Sequence, residues 1–194
     1  MSTLVALVEE PSAAFFLKAV MPSVLHEGVT LQTIAFQGKQ DLERGLERKL
    51  KGWLRPDSRF LVMRDRDSED CIAVKKRLEK ICKATGRKGV LIRIACGELE
   101  SFFLGDLHAV GIAFGKKMPT QNKGKFRDPD RLGNAAEELG KLLGTAEQKL
   151  KWSRMISPHL ALDGSNRSHS FNTLIIGVRK MFSTYVADPT RCDG

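Results

Sequence analysis

Two aspartates one residue apart, Asp65 and Asp67, close an apolar run, Phe60-Leu61-Val62-Met63. The run is short and uninterrupted, and Pro56-Asp57-Ser58 precedes it. That pattern predicts a strand buried on both faces, of the parallel-sheet type. On an extended chain residues i and i+2 point to one side, so the two carboxylates leave the strand side by side, about 6.5–7 Å apart along the chain. Two negative groups at that spacing repel each other unless a cation lies between them. A divalent ion with oxygen ligands meets that need. The alternative is that both acids start the next helix, where the positive end of its dipole favours them.

Two more acidic pairs follow apolar runs. Glu9-Glu10 comes after Thr3-Leu4-Val5-Ala6-Leu7-Val8, and Glu98 and Glu100 come after Val90-Leu91-Ile92-Arg93-Ile94-Ala95. Between these runs lie stretches with helical signals. One runs from about Pro11 to His26, with Pro22 kinking or shortening it. A strand from Val29 to Phe36 comes next, then a helix from about Lys39 to Trp53 with Leu42, Leu46, Leu50 and Trp53 as its apolar stripe. A third helix spans about Ser68 to Thr85, with Gly86 closing it. The order β-α-β-α-β-α-β predicts an α/β fold, a mostly parallel sheet with helices on both faces. Ligands of such sheets bind at the carboxyl ends of the strands. All three acidic clusters follow predicted strands, so they fall on one edge. Solvated loop acids would scatter over both edges, and the convergence therefore favours a metal site.

Residues 1–105 are expected to form this core, and 106–194 a helical C-terminal extension packed on it, in one domain. Helices are predicted from about Asp130 to Leu143, Glu147 to Ile156 and Phe171 to Tyr185, with Ser168 or Ser170 capping the last. Gly115 to Asp130 carries Lys116, Lys117, Lys123, Lys125 and Arg127 among Pro119, Gly124 and Pro129. It reads as a basic loop that either contacts phosphates or is merely solvated.

The whole chain bounds the function classes. Its 194 residues are 42% hydrophobic, enough for a sizeable core. No apolar run approaches a membrane span, and the first residues read as a strand rather than a signal peptide. A cytoplasmic location is expected. A net charge of +9 suits a phosphate-bearing partner, most simply nucleic acid. Cys71, Cys82, Cys96 and Cys192 form no C-x-x-C pair, and buried free thiols are the favoured reading. Neither a phosphate-binding G-x-x-x-x-G-K-S/T run nor a G-x-S-x-G elbow occurs.

Leu7-Val8-Glu9-Glu10-Pro11-Ser12 followed by Asp65-Arg66-Asp67 resembles the Toprim pattern of topoisomerases, bacterial primases and OLD-type nucleases. More narrowly, the chain resembles a family of small Toprim-like prokaryotic proteins often encoded beside defence ATPases. The resemblance rests on three runs: Asp65-Arg66-Asp67-Ser68-Glu69-Asp70-Cys71, Arg93 to Asp106, and Asn166-Arg167-Ser168-His169-Ser170-Phe171. Family members have glycine where this chain has Glu10, so the family glutamate is assigned to Glu9, and Glu10 is a secondary candidate that either adds a ligand or crowds the site.

The resemblance implies Mg²⁺ or Mn²⁺ held by Glu9, Asp65 and Asp67, with Glu9 as ligand or general base. Asp70 is a further ligand or else a helix-start acid. Glu98 and Glu100 complete the cluster, unless Glu98 pairs with Arg93. Lys116, Lys117 and Arg167 are the candidate phosphate contacts. A topoisomerase would need a tyrosine nucleophile, and only Tyr185 is present. A primase would bring a zinc module, which is missing. The implied activity is metal-dependent phosphodiester hydrolysis of DNA or RNA, as a component of a prokaryotic defence system with a possible ATPase partner. The competing expectation is a non-catalytic Toprim-like module that binds nucleic acid or such a partner.

Overall fold

The structure is a computed structural model that describes residues 2–122 and 124–183. Lys123, Tyr185 and Cys192 lie outside the described residues. Among the described residues four strands, β1 (Ser2–Val8), β2 (Val29–Ala35), β3 (Ser58–Asp65) and β4 (Val90–Ala95), form one sheet in the order β2-β1-β3-β4. Every pairing is parallel, with Val8 opposite Met63 and Asp65 opposite Ala95. The crossovers are α1 (Pro11–Val20), α2 (Lys39–Lys51) and α3 (Cys71–Ala84). Beyond β4 come α4 (Glu100–Leu104), α5 (Leu107–Phe114), α6 (Ala135–Leu143), α7 (Lys149–Ile156) and α8 (His169–Phe182). This is the expected α/β architecture, with helices on both faces of the sheet and a helical C-terminal extension.

Alternation along the strands sorts the core into two layers, because successive side chains of a strand point to opposite faces. Val5, Leu7, Phe60, Val62 and Ile92 meet Leu42, Leu46 and Leu50 of α2 and Val74, Leu78 and Cys82 of α3. The opposite set, Leu4, Ala6, Val8, Leu61 and Met63, belongs to a larger layer with α1 and with α4 to α8. Burial of both faces explains why β1 and β3 are apolar without interruption.

Several boundaries differ from the sequence reading for local reasons. Pro22 ends α1 early, and Met21–Ser23 continues as a 3₁₀ turn. The helix expected from about Asp130 starts at Ala135, after a 3₁₀ turn over Pro129–Arg131. Pro22 lacks the N–H that a longer α1 would need, whereas α6 is delayed because Leu132 and Asn134 leave the helical backbone region. Ser168 caps α8 by accepting from the Phe171 N–H at 3.1 Å, one of the two serines expected there.

An aromatic cluster anchors α4 beneath the carboxyl edge of the sheet. The Phe16 and Phe102 rings are 5.5 Å apart, as are those of Phe102 and Phe171. Phe102 and Phe103 sink the short helix α4 into the core, and Glu100, two residues before Phe102, is buried with it.

Candidate functional site

The carboxyl edge of the sheet gathers the acids from three strand ends. Glu9 follows β1, and its Oε2 accepts the Asp65 N–H at 3.2 Å, which ties the first strand end to the third. Asp65 is the last residue of β3 and is buried. It accepts from the Leu99 N–H at 3.2 Å, the residue just before α4. Glu100 begins α4, is fully buried, and has no hydrogen-bond partner on either carboxylate oxygen among the described residues. Glu10 is half-buried at the start of α1 and accepts from the Ser12 hydroxyl.

Electrostatics follow from that crowding. Burial, then the charges of Glu100, Glu9 and Glu10, hold the Asp65 carboxyl well above its ordinary value. Burial also pushes Glu100 up to about 7; Glu10 and Glu98 add to the effect, and the positive charge of Lys149 opposes it. Glu9 is raised as well, by burial and by the Asp67 charge, against the pull of Arg64 and the Asp65 N–H.

Lys149 is the residue that sequence reasoning missed. It is the first residue of α7, where the helix dipole disfavours a cation. Burial also works against its ammonium, but the charges of Glu100, Glu10, Asp65 and Glu98 outweigh it and hold its pKa above the ordinary lysine value. Its one close ion-pair contact among the described residues is with Glu147, at 3.7 Å. No local sequence signal marks it, because α7 brings it to the acids by packing against α1.

The other sequence-predicted residues separate into distinct settings. Asp67 does not leave the sheet beside Asp65 as the i, i+2 argument expected. The strand stops at Asp65, and Asp67 takes a left-handed conformation with φ of 55°, which short acids tolerate better than most residues. Its N–H donates to the Gly97 carbonyl at 3.2 Å, and its carboxylate pairs with Lys39 at 3.0 Å. Asp70 is the N-cap of α3, accepting from the Ala73 N–H at 2.8 Å. Glu98 accepts from the Ala136 N–H at 2.7 Å and so caps α6. It does not pair with Arg93, which donates to the Thr173 carbonyl at 3.2 Å and the Ile92 carbonyl at 3.0 Å.

Lys116 donates to the Leu143 carbonyl at the end of α6 and lines a hollow beside α5. Lys117 is exposed. Arg167 donates to Asn122 at 2.5 Å and lines a cavity of about 920 Å³. Lys125, Arg127, Arg131 and His169 share that cavity, with Asp128 as its acid. Leu132, also in its wall, places its carbonyl against Gly97, where a Cβ would lie 3.0 Å away. The basic cleft therefore adjoins the turn that follows β4. Arg66, between the two aspartates, has a buried Nε without a hydrogen-bond partner among the described residues.

The donor chemistry suits a hard divalent ion: carboxylate oxygens from three strand ends, with both Glu100 oxygens buried and unpartnered. Among the described residues no three Asp, Glu, Cys or His side chains are already drawn together tightly enough to hold an ion.

Fold and edge together define an α/β protein with a parallel four-stranded sheet and a buried acidic cluster at its carboxyl end. The chain belongs to the family described as Domain of unknown function (DUF4276), whose model matches residues 8–179. No curated protein matches the sequence. Among solved structures, the chain is similar to the C-terminal region of the Xanthomonas campestris pv. campestris OLD protein, at 14% identity and a TM-score of 0.47, over 95% of this chain and 98% of that one.

Proposed function

We propose that the protein is a metal-dependent nuclease that hydrolyses phosphodiesters of DNA or RNA. The observation that carries this reading is Glu100, fully buried with both carboxylate oxygens unpartnered among the described residues, beside the buried Asp65 where α/β sheets bind their ligands. Burying carboxylates without partners is costly, and a bound cation removes that cost. Asp65, Glu100, Glu9 and Glu10 are the residues that would hold Mg²⁺ or Mn²⁺, with Asp67 reaching it on release from Lys39. The ion, when bound, polarises the phosphate and makes water more acidic.

The chain's own groups do the rest. Lys149 brings a positive charge to the same cluster and neutralises part of the negative charge that builds on a phosphate under attack. Glu9 serves either as a ligand or as the proton acceptor on the attacking water, a role suited by a pKa that burial and the Asp67 charge raise against the pull of Arg64. Lys125, Arg127, Arg131 and Arg167 would hold a phosphate backbone electrostatically beside the site. Lys116 and Lys117 are secondary phosphate contacts in this reading, and Lys116 would first have to leave the α6 terminus.

The resemblance supplies the proposed setting, prokaryotic defence beside an ATPase partner. The test is cleavage of labelled single- and double-stranded DNA and RNA with Mg²⁺ or Mn²⁺, by the protein alone and with the neighbouring ATPase. Asp65→Asn is expected to abolish metal-stimulated cleavage while circular dichroism and melting remain those of a folded chain. No cleavage by the wild-type protein under any of these conditions would overturn the reading.

A second reading, a non-catalytic module that binds nucleic acid or the ATPase, is favoured by the Lys39–Asp67 ion pair, which engages one of the two aspartates elsewhere. It requires that the basic cleft bind oligonucleotide while wild type and Asp65→Asn are equally inactive.

A further inference from the structure

Two thiols that belong to none of this chemistry touch each other. Cys71 opens α3 and Cys96 is the first residue after β4, and their sulfurs are 3.2 Å apart across a 25-residue separation in sequence. Both side chains are half-buried rather than sealed in the core. Both line a cavity of about 410 Å³, together with Lys75, Lys76, Arg93 and His169, through which a small reagent can reach them. Their backbones are already held in register. The Arg66 N–H donates to the Ala95 carbonyl at 3.0 Å and the Asp67 N–H to the Gly97 carbonyl at 3.2 Å. Asp70 fixes the start of α3 on one side, and the Cys96 N–H meets Ser170 Oγ at 3.4 Å on the other.

We propose that Cys71 and Cys96 are a reversible modification site, a dithiol that closes to a disulfide and fastens the aspartate loop, residues 66–70, to the turn after β4. A disulfide has its sulfurs about 2.05 Å apart, so closure asks them to approach by about 1 Å, while the two backbones stay paired. The oxidant is a small disulfide such as oxidised glutathione. One thiol loses its proton to solvent, and its sulfur attacks a glutathione sulfur; a mixed disulfide forms and one glutathione thiolate departs. The second cysteine then loses its proton and attacks the bonded protein sulfur, which forms the Cys71–Cys96 bond and releases the second glutathione. The protein is oxidised by two electrons, and oxidised glutathione is reduced to two thiols. Because the closed loop is long, the disulfide is expected to raise the melting temperature by about 5–10 °C.

The inference does not depend on nuclease activity, and neither does its test. The full-length reduced protein is incubated with oxidised glutathione, alkylated, and mapped as peptides without reduction. The expected result is a single crosslink between the Cys71 and Cys96 peptides, a mass lower by two hydrogens, and full reversal by dithiothreitol. Cys96→Ser and Cys71→Ser should each leave the remaining thiol as a stable glutathione adduct, while Cys82→Ser should retain the crosslink. The proposal is overturned if wild type accumulates glutathione on both cysteines, if Cys71 links instead to Cys82 or Cys192, or if both thiols stay reduced.

Discussion

The two sides of β3 carry similar charges and treat them in opposite ways. On the side of α2 and α3, Arg64 is fully buried, yet its Nη atoms meet Glu43 at 2.6 Å and Glu69 at 2.7 Å, and its Nε donates to the Asp65 carbonyl at 2.9 Å. Arg77 adds contacts to Glu43 at 3.0 Å and Glu69 at 2.7 Å, and Lys39 holds Asp67 at 3.0 Å. Three carboxylates are thus matched by three cations. On the side of α4 and α7, Asp65, Glu10, Glu98 and Glu100 all act on Lys149, the cation that the described residues place among them. Hydrogen bonds from Arg77 and Arg64 lower Glu69 to about 2, while burial raises Glu100 to about 7. A balanced network needs nothing further; the unbalanced one requires a proton or another cation. That difference separates acids that build the fold from acids available for chemistry, which their residue type alone does not do.

The largest expected effect lies on the balanced side. Arg64→Met leaves Glu43 and Glu69 without their buried partner and should destabilise the protein by about 3–5 kcal/mol, the range for breaking a buried ion pair. Urea denaturation at pH 7 measures it, and a loss under about 1 kcal/mol would erase the distinction drawn between the two sides.

Glu100→Gln should act in the opposite direction. Glu100 has a folded pKa of about 7 against an ordinary value of 4.5. Below 4.5 it is protonated folded or unfolded and costs nothing. As pH rises from there to about 7, the unfolded chain releases its proton and the folded chain keeps it, so stability falls, and above about 7 the loss is complete. Without divalent metal, Glu100→Gln should therefore be more stable than wild type by about 2–3 kcal/mol at pH 8 and nearly equal to it at pH 4. Mn²⁺ should restore wild type at pH 8 and help the variant less. Thermal melts across that pH range check both statements.

The same contrast explains what could be read from the chain. The sheet was legible because β1 and β3 are buried on both faces and therefore unbroken in their apolar runs. The pattern of those runs alone was enough to place Glu9, Asp65 and Glu100 on one edge. Three features were hidden. Asp67 turns through a left-handed residue, and a D-x-D spacing does not reveal where a strand stops. Glu98 caps α6 from 38 residues away, while Asn134 at the helix start makes no side-chain cap. Lys149 reaches the acids from the extension, through packing of α7 that no local spacing encodes.

Lys149 offers a smaller, pH-gated effect. Lys149→Met removes the cation that now faces the cluster, so the protein without metal should lose about 1 kcal/mol at pH 8. At pH 5 Glu100 is protonated, and the loss should shrink towards zero. Equal losses at both pH values would mean that Lys149 serves α7 packing rather than the acids.

The smallest effect is the sharpest test of where Asp67 belongs. Lys39 and Asp67 are both well exposed, 40% and 38%, and exposed pairs contribute about 0.2–1 kcal/mol. Lys39→Gln should therefore change stability by no more than about 0.5 kcal/mol. If Asp67 serves the metal once freed, the substitution removes a competing cation, and Mn²⁺ should bind about threefold more tightly, which matches the strength of an exposed pair. Titration calorimetry on Lys39→Gln and on Lys39→Gln with Asp67→Asn reads this directly. The gain is expected in the single variant and absent in the double one. A gain that survives Asp67→Asn would come from the general field of the edge, and Asp67 would then belong with Glu43 and Glu69 in the balanced network.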